Sequence, residues 1–259
     1  MISTLVSYKL ASEDIATTIK RVSEQPVVSR DVEYYLENIG NVDTIEDLTS
    51  DYRLFSFAMK AHGLSDMTYA KAFMEKVLEE GIDDDRAFAN TLSDKRYAEF
   101  AKTFNFKSFG EATTSFTKTQ QGVVDKYLRQ TLEEQAGDEN QGVRLALYFE
   151  RKADTIENFY QILADPALSQ VVRTTLGLPE SFATVDIDKQ VELISDRIDL
   201  ETLADPDKLD KLLERFTALW DVDHSTESQA VSQIAQLFNT GPQLGISQDL
   251  MLQIAQMKR

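Results

Sequence analysis

The sequence predicts an all-α protein made of two related helical lobes, an internal duplication, joined by a long central helical hairpin. Three observations predict it. Only 5 prolines and 10 glycines interrupt 259 residues in which Ala, Leu, Glu, Lys and Gln, all good helix formers, are common. Apolar residues recur at steps of three, four and seven, as in Leu54, Phe57, Ala58 and Ala61, with almost no strand-like alternation. Short strings also recur: Asp51 to Asp165 is 114 residues and Asp94 to Asp205 is 111, each aspartate standing before an apolar run.

Residues 1–30 form an N-terminal helical segment whose first ten residues are expected to stay mobile until docked. The first lobe spans residues 31–110. Within it Asp51 heads a helix, because its carboxylate accepts hydrogen bonds from the free amides of the first turn. That helix stops where Gly63 follows its last turn, with Leu64 folding back in a Schellman-type cap. A second helix runs from about Asp66 to Gly81, and "DDDRAFANTL" reads as a short helix with an acidic start. Asp94 then heads a run with Tyr97, Phe100, Ala101 and Phe104 on one face. Residues 104–114, aromatic and glycine-containing, read as a packed loop.

Residues 111–164 are assigned to the central hairpin. Val123, Val124, Tyr127, Leu128 and Thr131 give it one apolar stripe, and "AGDEN" around Gly137 is the natural break. The second lobe and a C-terminal helix fill residues 165–259. Asp165 and Asp205 are its caps, and Pro166 and Pro206 occupy the first helical position, where a missing amide costs nothing. Leu168, Val171 and Val172, then Leu209, Leu212, Leu213 and Phe216, repeat the apolar steps. The tail breaks at Gly241-Pro242 and resumes as an amphipathic helix with Ile246, Leu250, Met251 and Ile254.

Forty-four acidic against 27 basic residues give a formal charge of −17, which repels nucleic-acid backbones and anionic lipid alike. No run of 18 apolar residues is present, so no membrane insertion is expected. The first 22 residues lack an apolar core after a basic start, so no cleavable signal peptide is expected. The absence of cysteine excludes disulfides and thiolate chemistry.

Reactive patterns are missing: there is no GxGxxG, P-loop, GxSxG or HExxH. No catalytic, cofactor-binding or metal-ligating residue is assigned, and no cofactor is expected. His62 falls in the last turn of its helix, where a cation favours the dipole. Asp221, Asp223 and His224 offer a metal-like cluster, but Thr226 and Ser232 stand where a calcium loop needs glycine and glutamate, and helix-end capping is the preferred role. Asp83, Asp84 and Asp85 are read as acids at a helix start rather than a cation site. Arg53 and Arg96 oppose the dipole of the helices they open, so each guanidinium is expected to be fixed by a carboxylate, with a binding role as the alternative.

The strings "DYRLFSFAMKAHGL", "FANTLSDKRYAEFAKTFNF", "DKYLRQTLEEQAGDENQGVRLALYFERKA" and "LDKLLERFTALWD" resemble a family of uncharacterised alphaproteobacterial proteins, a domain of unknown function often encoded near flagellar genes. The resemblance covers nearly the whole chain and implies no reaction and no catalytic residues. What it implies is a helical protein connected with the flagellum, cytoplasmic or exported by the flagellar route. The function expected on all these grounds is a non-enzymatic structural or assembly role through contacts with a protein partner, possible flagellar components included. Two alternatives are a metal-dependent hydrolase using the acids near Asp83 or Asp221, and an acidic chaperone-like binder of a partner helix.

Overall fold

The computed structural model of the chain describes residues 2–224. Among the described residues there are α-helices and short 3-10 turns and no strand. The helices are α1 (Thr4–Ser12), α2 (Ile15–Ser23), α3 (Pro26–Asn38), α4 (Ile45–Ser50), α5 (Tyr52–Ala61), α6 (Lys71–Glu80), α7 (Phe88–Thr91) and α8 (Arg96–Thr103). They continue with α9 (Phe106–Phe109), α10 (Gln121–Glu139), α11 (Gln141–Lys152), α12 (Phe159–Ala164), α13 (Pro166–Leu176), α14 (Ile187–Ser195), α15 (Leu200–Ala204) and α16 (Pro206–His224).

Three of the four aspartates that mark helix starts are N-caps. Asp51 Oδ1 accepts from the amides of Arg53 (2.9 Å) and Leu54 (3.0 Å), and Asp165 Oδ1 from those of Ala167 and Leu168. Asp205 Oδ1 accepts from Asp207 and Lys208. Asp94 stands one residue further out. Its carboxylate takes the Arg96 amide (3.0 Å), but α8 begins only after Lys95 and has no side-chain cap.

Helix stops follow the glycines. Gly63 has φ +70° and Gly177 φ +66°, a region open to glycine because it has no Cβ. Leu64 N donates to Met59 O and Gly63 N to Lys60 O, while Leu178 N donates to Arg173 O and Gly177 N to Thr174 O. Both are Schellman closures with the apolar residue after glycine turned inward.

Several expectations need correction. Residues 104–114 are not a loop: α9 and a 3-10 turn over Gly110–Ser115 occupy them, because Asn105 caps Ser108 N and Thr113 bonds back to Gly110 O. The acidic-started helix shrinks to α7, since Asp84 folds its own chain into a turn by accepting from Arg86 N (2.8 Å). The 111–164 segment is not one long hairpin. Helices α10 and α11 do pack together, but they part at Asn140 rather than Gly137, and a 3-10 turn and α12 follow them. Asn140 makes the break because its side chain caps Gly142 N at 2.8 Å. Helix α1, within the segment expected to be mobile until docked, is docked, with Tyr8 buried and its contacts on α11 and α16. The tail helix with Ile246, Leu250, Met251 and Ile254 lies outside the described residues.

One contiguous core runs from Tyr8 to Trp220. Helix α5 lies between α3, α4 and α10, and α13 lies between α11, α12 and α16. Tyr35, Phe57 and Tyr127 stack face to face, with ring centroids 4.3 and 3.8 Å apart, and tie α3, α5 and α10 into one layer. Each such buried side chain contributes roughly 1.5–3 kcal/mol by leaving water. Helix α1 runs antiparallel to α16, with Thr4 at Asp221 and Lys9 at Asp210 and Glu214. The Thr4 hydroxyl donates to Asp221 and accepts from Asn140 Nδ2 (2.7 Å), so the starts of α1 and α11 meet α16 at one buried oxygen.

Candidate functional site

Helices α8 and α10 and the strand of chain entering α10 enclose a cleft of about 350 Å³, lined by Glu99, Lys102, Thr103, Lys118 and Lys126. Two of its lining residues, Thr103 and Lys126, contact the buried His62 that caps the end of α5. His62 Nδ1 lies 2.9 Å from Ala58 O, a pure acceptor, so that nitrogen carries the proton and Nε2 presents a lone pair. Thr103 donates its hydroxyl to Glu99 O at 3.0 Å, leaving Lys126 Nζ, 3.2 Å from Nε2, as the donor to the imidazole. Burial, reinforced by the Lys126 charge, lowers the His62 pKa to about 3. The expected dipole-assisting cation at this position is therefore a neutral ring, because its place at the helix end faces the α8–α10 junction and not water.

The cleft carries the opposite sign to the molecule. Among the described residues no carboxylate pairs with the Lys126 amine, and burial lowers its pKa while Glu99 works against that shift. Glu99 is held by Lys152 of α11 at 3.2 Å. Lys118 Nζ sits 4.8 Å above the Phe109 ring and donates to Lys102 O. Four lysines thus meet one carboxylate in a chain of net charge −17.

A second polar cluster lies further along α10, one to two turns beyond Lys126. Glu133, 1% exposed, accepts from Arg129 Nε (3.1 Å) and from Arg151 Nε (2.6 Å) and NH2 (2.8 Å). Arg129 also donates to Leu147 O, so the cluster bolts α10 to α11. Burial raises the pKa of neighbouring Glu150, opposed by Arg129 at 3.6 Å. With both guanidiniums committed to Glu133, this cluster is a fastening.

The residues singled out in the sequence are scattered. Arg53 reaches Asp31 (3.3 Å) and lies 3.8 Å over the Tyr34 ring, across α3 and α5. Arg96 is bidentate to Asp94 and donates to Gly63 O, locking α8 to the end of α5. A carboxylate from elsewhere, across the helix pair, is the expectation for each: Arg53 has one in Asp31 of α3, whereas Arg96 is held by Asp94, two residues before it. Asp83 accepts from Ser108 Oγ, and Asp221 caps α1 of a distant part of the chain. His224 stacks on Trp220 at 3.8 Å and meets its carbonyl. Among the described residues no three His, Asp or Glu side chains gather where they could hold a metal ion. The cleft escaped sequence reasoning because its members are 41 and 64 residues from His62 and belong to no motif; the surplus of lysines between 95 and 126 was the available signal.

The chain is similar to a crystal structure of protein AGR_C_984 from Agrobacterium tumefaciens, an alphaproteobacterium. The two are 52% identical, with a TM-score of 0.78, over 86% of this chain and 97% of that one. No curated protein matches the chain. The family model described as "Protein of unknown function (DUF1217)" matches residues 61–209, more than half of the sequence, and the chain belongs to that family.

Proposed function

We propose that this is a non-enzymatic structural or assembly protein that works through contacts with a protein partner, a flagellar component being the partner class that the family resemblance implies. The observation that carries the reading is the fate of the conspicuous polar residues. Asp51, Asp165 and Asp205 are engaged by helix amides, Arg53 and Arg96 by carboxylates, and His62 uses both ring nitrogens in the fold. Residues so engaged set helix ends and crossings, which is what a scaffold of defined shape requires. Deleting the gene and measuring swimming, with tagged protein followed through cytoplasmic, basal-body and medium fractions, tests it. Reduced motility with recovery in basal-body or medium fractions is expected; normal swimming and filaments would overturn the flagellar assignment.

We also propose that the scaffold is a duplication, with unequal halves. Helices α3, α4 and α5 and the turn Ile39–Asn41 are followed 114 or 115 residues later by α11, α12 and α13 and the turn Ala153–Thr155. Tyr34 donates to Asp51 and Tyr148 to Asp165, each over 17 residues and each at 2.6 Å. Beyond α7 and α15 the halves differ. Helix α16 packs on α13 as α10 packs on α5, and buries Leu212, Leu213, Phe216 and Thr217 where α10 buries Tyr127, Leu128, Thr131 and Leu132. On this reading α8 and α9 are additional to the first half, Asp94 has no counterpart in Asp205, and the pair α10–α11 is the junction between copies. Matched Tyr→Phe substitutions, described in the Discussion, test the equivalence.

A further inference from the structure

We infer that the lysine cleft between α8 and α10 is a binding site for a doubly charged oxyanion, with a phosphate group as the chemistry that fits. The argument is independent of the protein-partner reading. Lys102 and Thr103 come from α8, Lys118 from the segment after the 3-10 turn, and Lys126 from α10, so three separate stretches bring amines to one concavity. Like charges crowd only at a cost unless something neutralises them, and this chain has 44 acids from which to supply carboxylates. Among the described residues it supplies one to the lining, Glu99, which Lys152 already binds. Among the described residues Lys118 and Lys126 have carbonyl, hydroxyl, imidazole and ring partners, none of which carries a full negative charge. Lys126 is held in place from behind by His62 Nε2 and Thr103 Oγ1, which orients its remaining N–H toward the opening.

A dianion answers this surplus better than a monoanion. Phosphate presents several acceptor oxygens to compact ammonium donors, which bind it as point charges. Phe109 and Phe116, both exposed and in edge-to-face contact beside Lys118, add an apolar rim that a phosphate ester could cover and free phosphate could not.

The test is calorimetric titration of the full chain with inorganic phosphate and, separately, phenyl phosphate, at constant ionic strength set with sodium chloride. Saturable binding is expected for the wild type, weakened about tenfold or more in a Lys102→Gln/Lys118→Gln double variant, since each lost charge-assisted bond is worth about a factor of ten. A Lys20→Gln/Lys211→Gln control, in solvent away from the cleft, should bind as the wild type does. Tighter binding of phenyl phosphate identifies an ester as the source, and equal binding identifies the free ion. Absence of saturation in the tens of millimolar, or equal affinity in the double variant, overturns the site. Both double variants change only exposed side chains, and a thermal melt of each confirms that it is folded.

Discussion

His62 is a buried base held in its neutral form, and this gives it a definite effect on acid stability. Its folded pKa of about 3 lies below the ordinary value of 6.5, so the unfolded chain binds a proton that the folded chain refuses. Above pH 6.5 neither state is protonated and the residue is neutral in the balance. As pH falls from about 6.5 toward 3, stability is lost progressively, up to roughly 5 kcal/mol for the full shift. His62→Gln keeps a donor for Ala58 O and an acceptor for Lys126 without a titrating proton. Denaturant unfolding of wild type and variant from pH 7 to 4 should show the gap between them closing or reversing on acidification. Parallel curves would place the imidazole in water. Two tyrosines make a second residue-scale prediction. Tyr148→Phe strands one oxygen of Asp165 in a partly buried position and should cost about 1.5–3 kcal/mol, the range for hydrogen bonds to charged groups. Tyr34→Phe removes the same bond to Asp51 nearer to solvent and should cost less, with the same sign and with the α5 cap retained. A stabilising effect at either site would break the proposed equivalence. Asp51 itself should remain ionised in mild acid: burial pushes its pKa up, but the Tyr34 hydroxyl and the Leu54 and Arg53 amides outweigh that and hold it below the usual carboxylate range.

At the scale of elements, the crossing of α11 and α16 depends on what Gly142 lacks. A Cβ there would lie 2.5 Å from Trp220 Cδ1, closer than carbon atoms approach, so the indole rests directly on helix backbone. Gly142→Ala should therefore destabilise the protein by about 1–3 kcal/mol as an overpacking change, although alanine is the better helix former. Equilibrium unfolding checks the sign: a gain in stability would mean that the two helices part easily. The same scale shows what was legible in the sequence. Caps at Asp51, Asp165 and Asp205 and the closures at Gly63 and Gly177 are interactions within a few residues, so spacing alone reveals them. The end of α10 was misplaced by three residues because glycine at 137 looks like a breaker, whereas the Asn140 side chain makes the stop and Gly137 instead leaves room for Arg144. The seat of α1, the burial of Glu133 and the lysine cleft depend on which helix faces which. Amino-acid order at one element does not encode that.

For the whole molecule, the continuous core from Tyr8 to Trp220 predicts one cooperative transition. Trp220 is the single tryptophan and sits in α16, so its fluorescence reports the end of the described chain while far-UV circular dichroism reports every helix. The two signals should melt together. Separate midpoints would mean that the halves unfold independently and that the α5–α10 and α10–α11 contacts are weak couplings. Fold class was legible at this scale because helical periodicity is a property of every segment. The proposed pairing of α3–α5 with α11–α13 was harder to read, since on that proposal α8 and α9 shift the later spacing.

The junction at Thr4 has a consequence for synthesis. Helix α1 is seated on α11 and on α16, whose Asp221 accepts from the Thr4 amide and hydroxyl. A chain emerging from the ribosome therefore lacks the α16 side of that seat until Asp221, 217 residues after Thr4, has appeared. Closure of the fold then waits on the last helix described, and a nascent chain stalled short of it would show its opening residues to any chaperone or protease at hand.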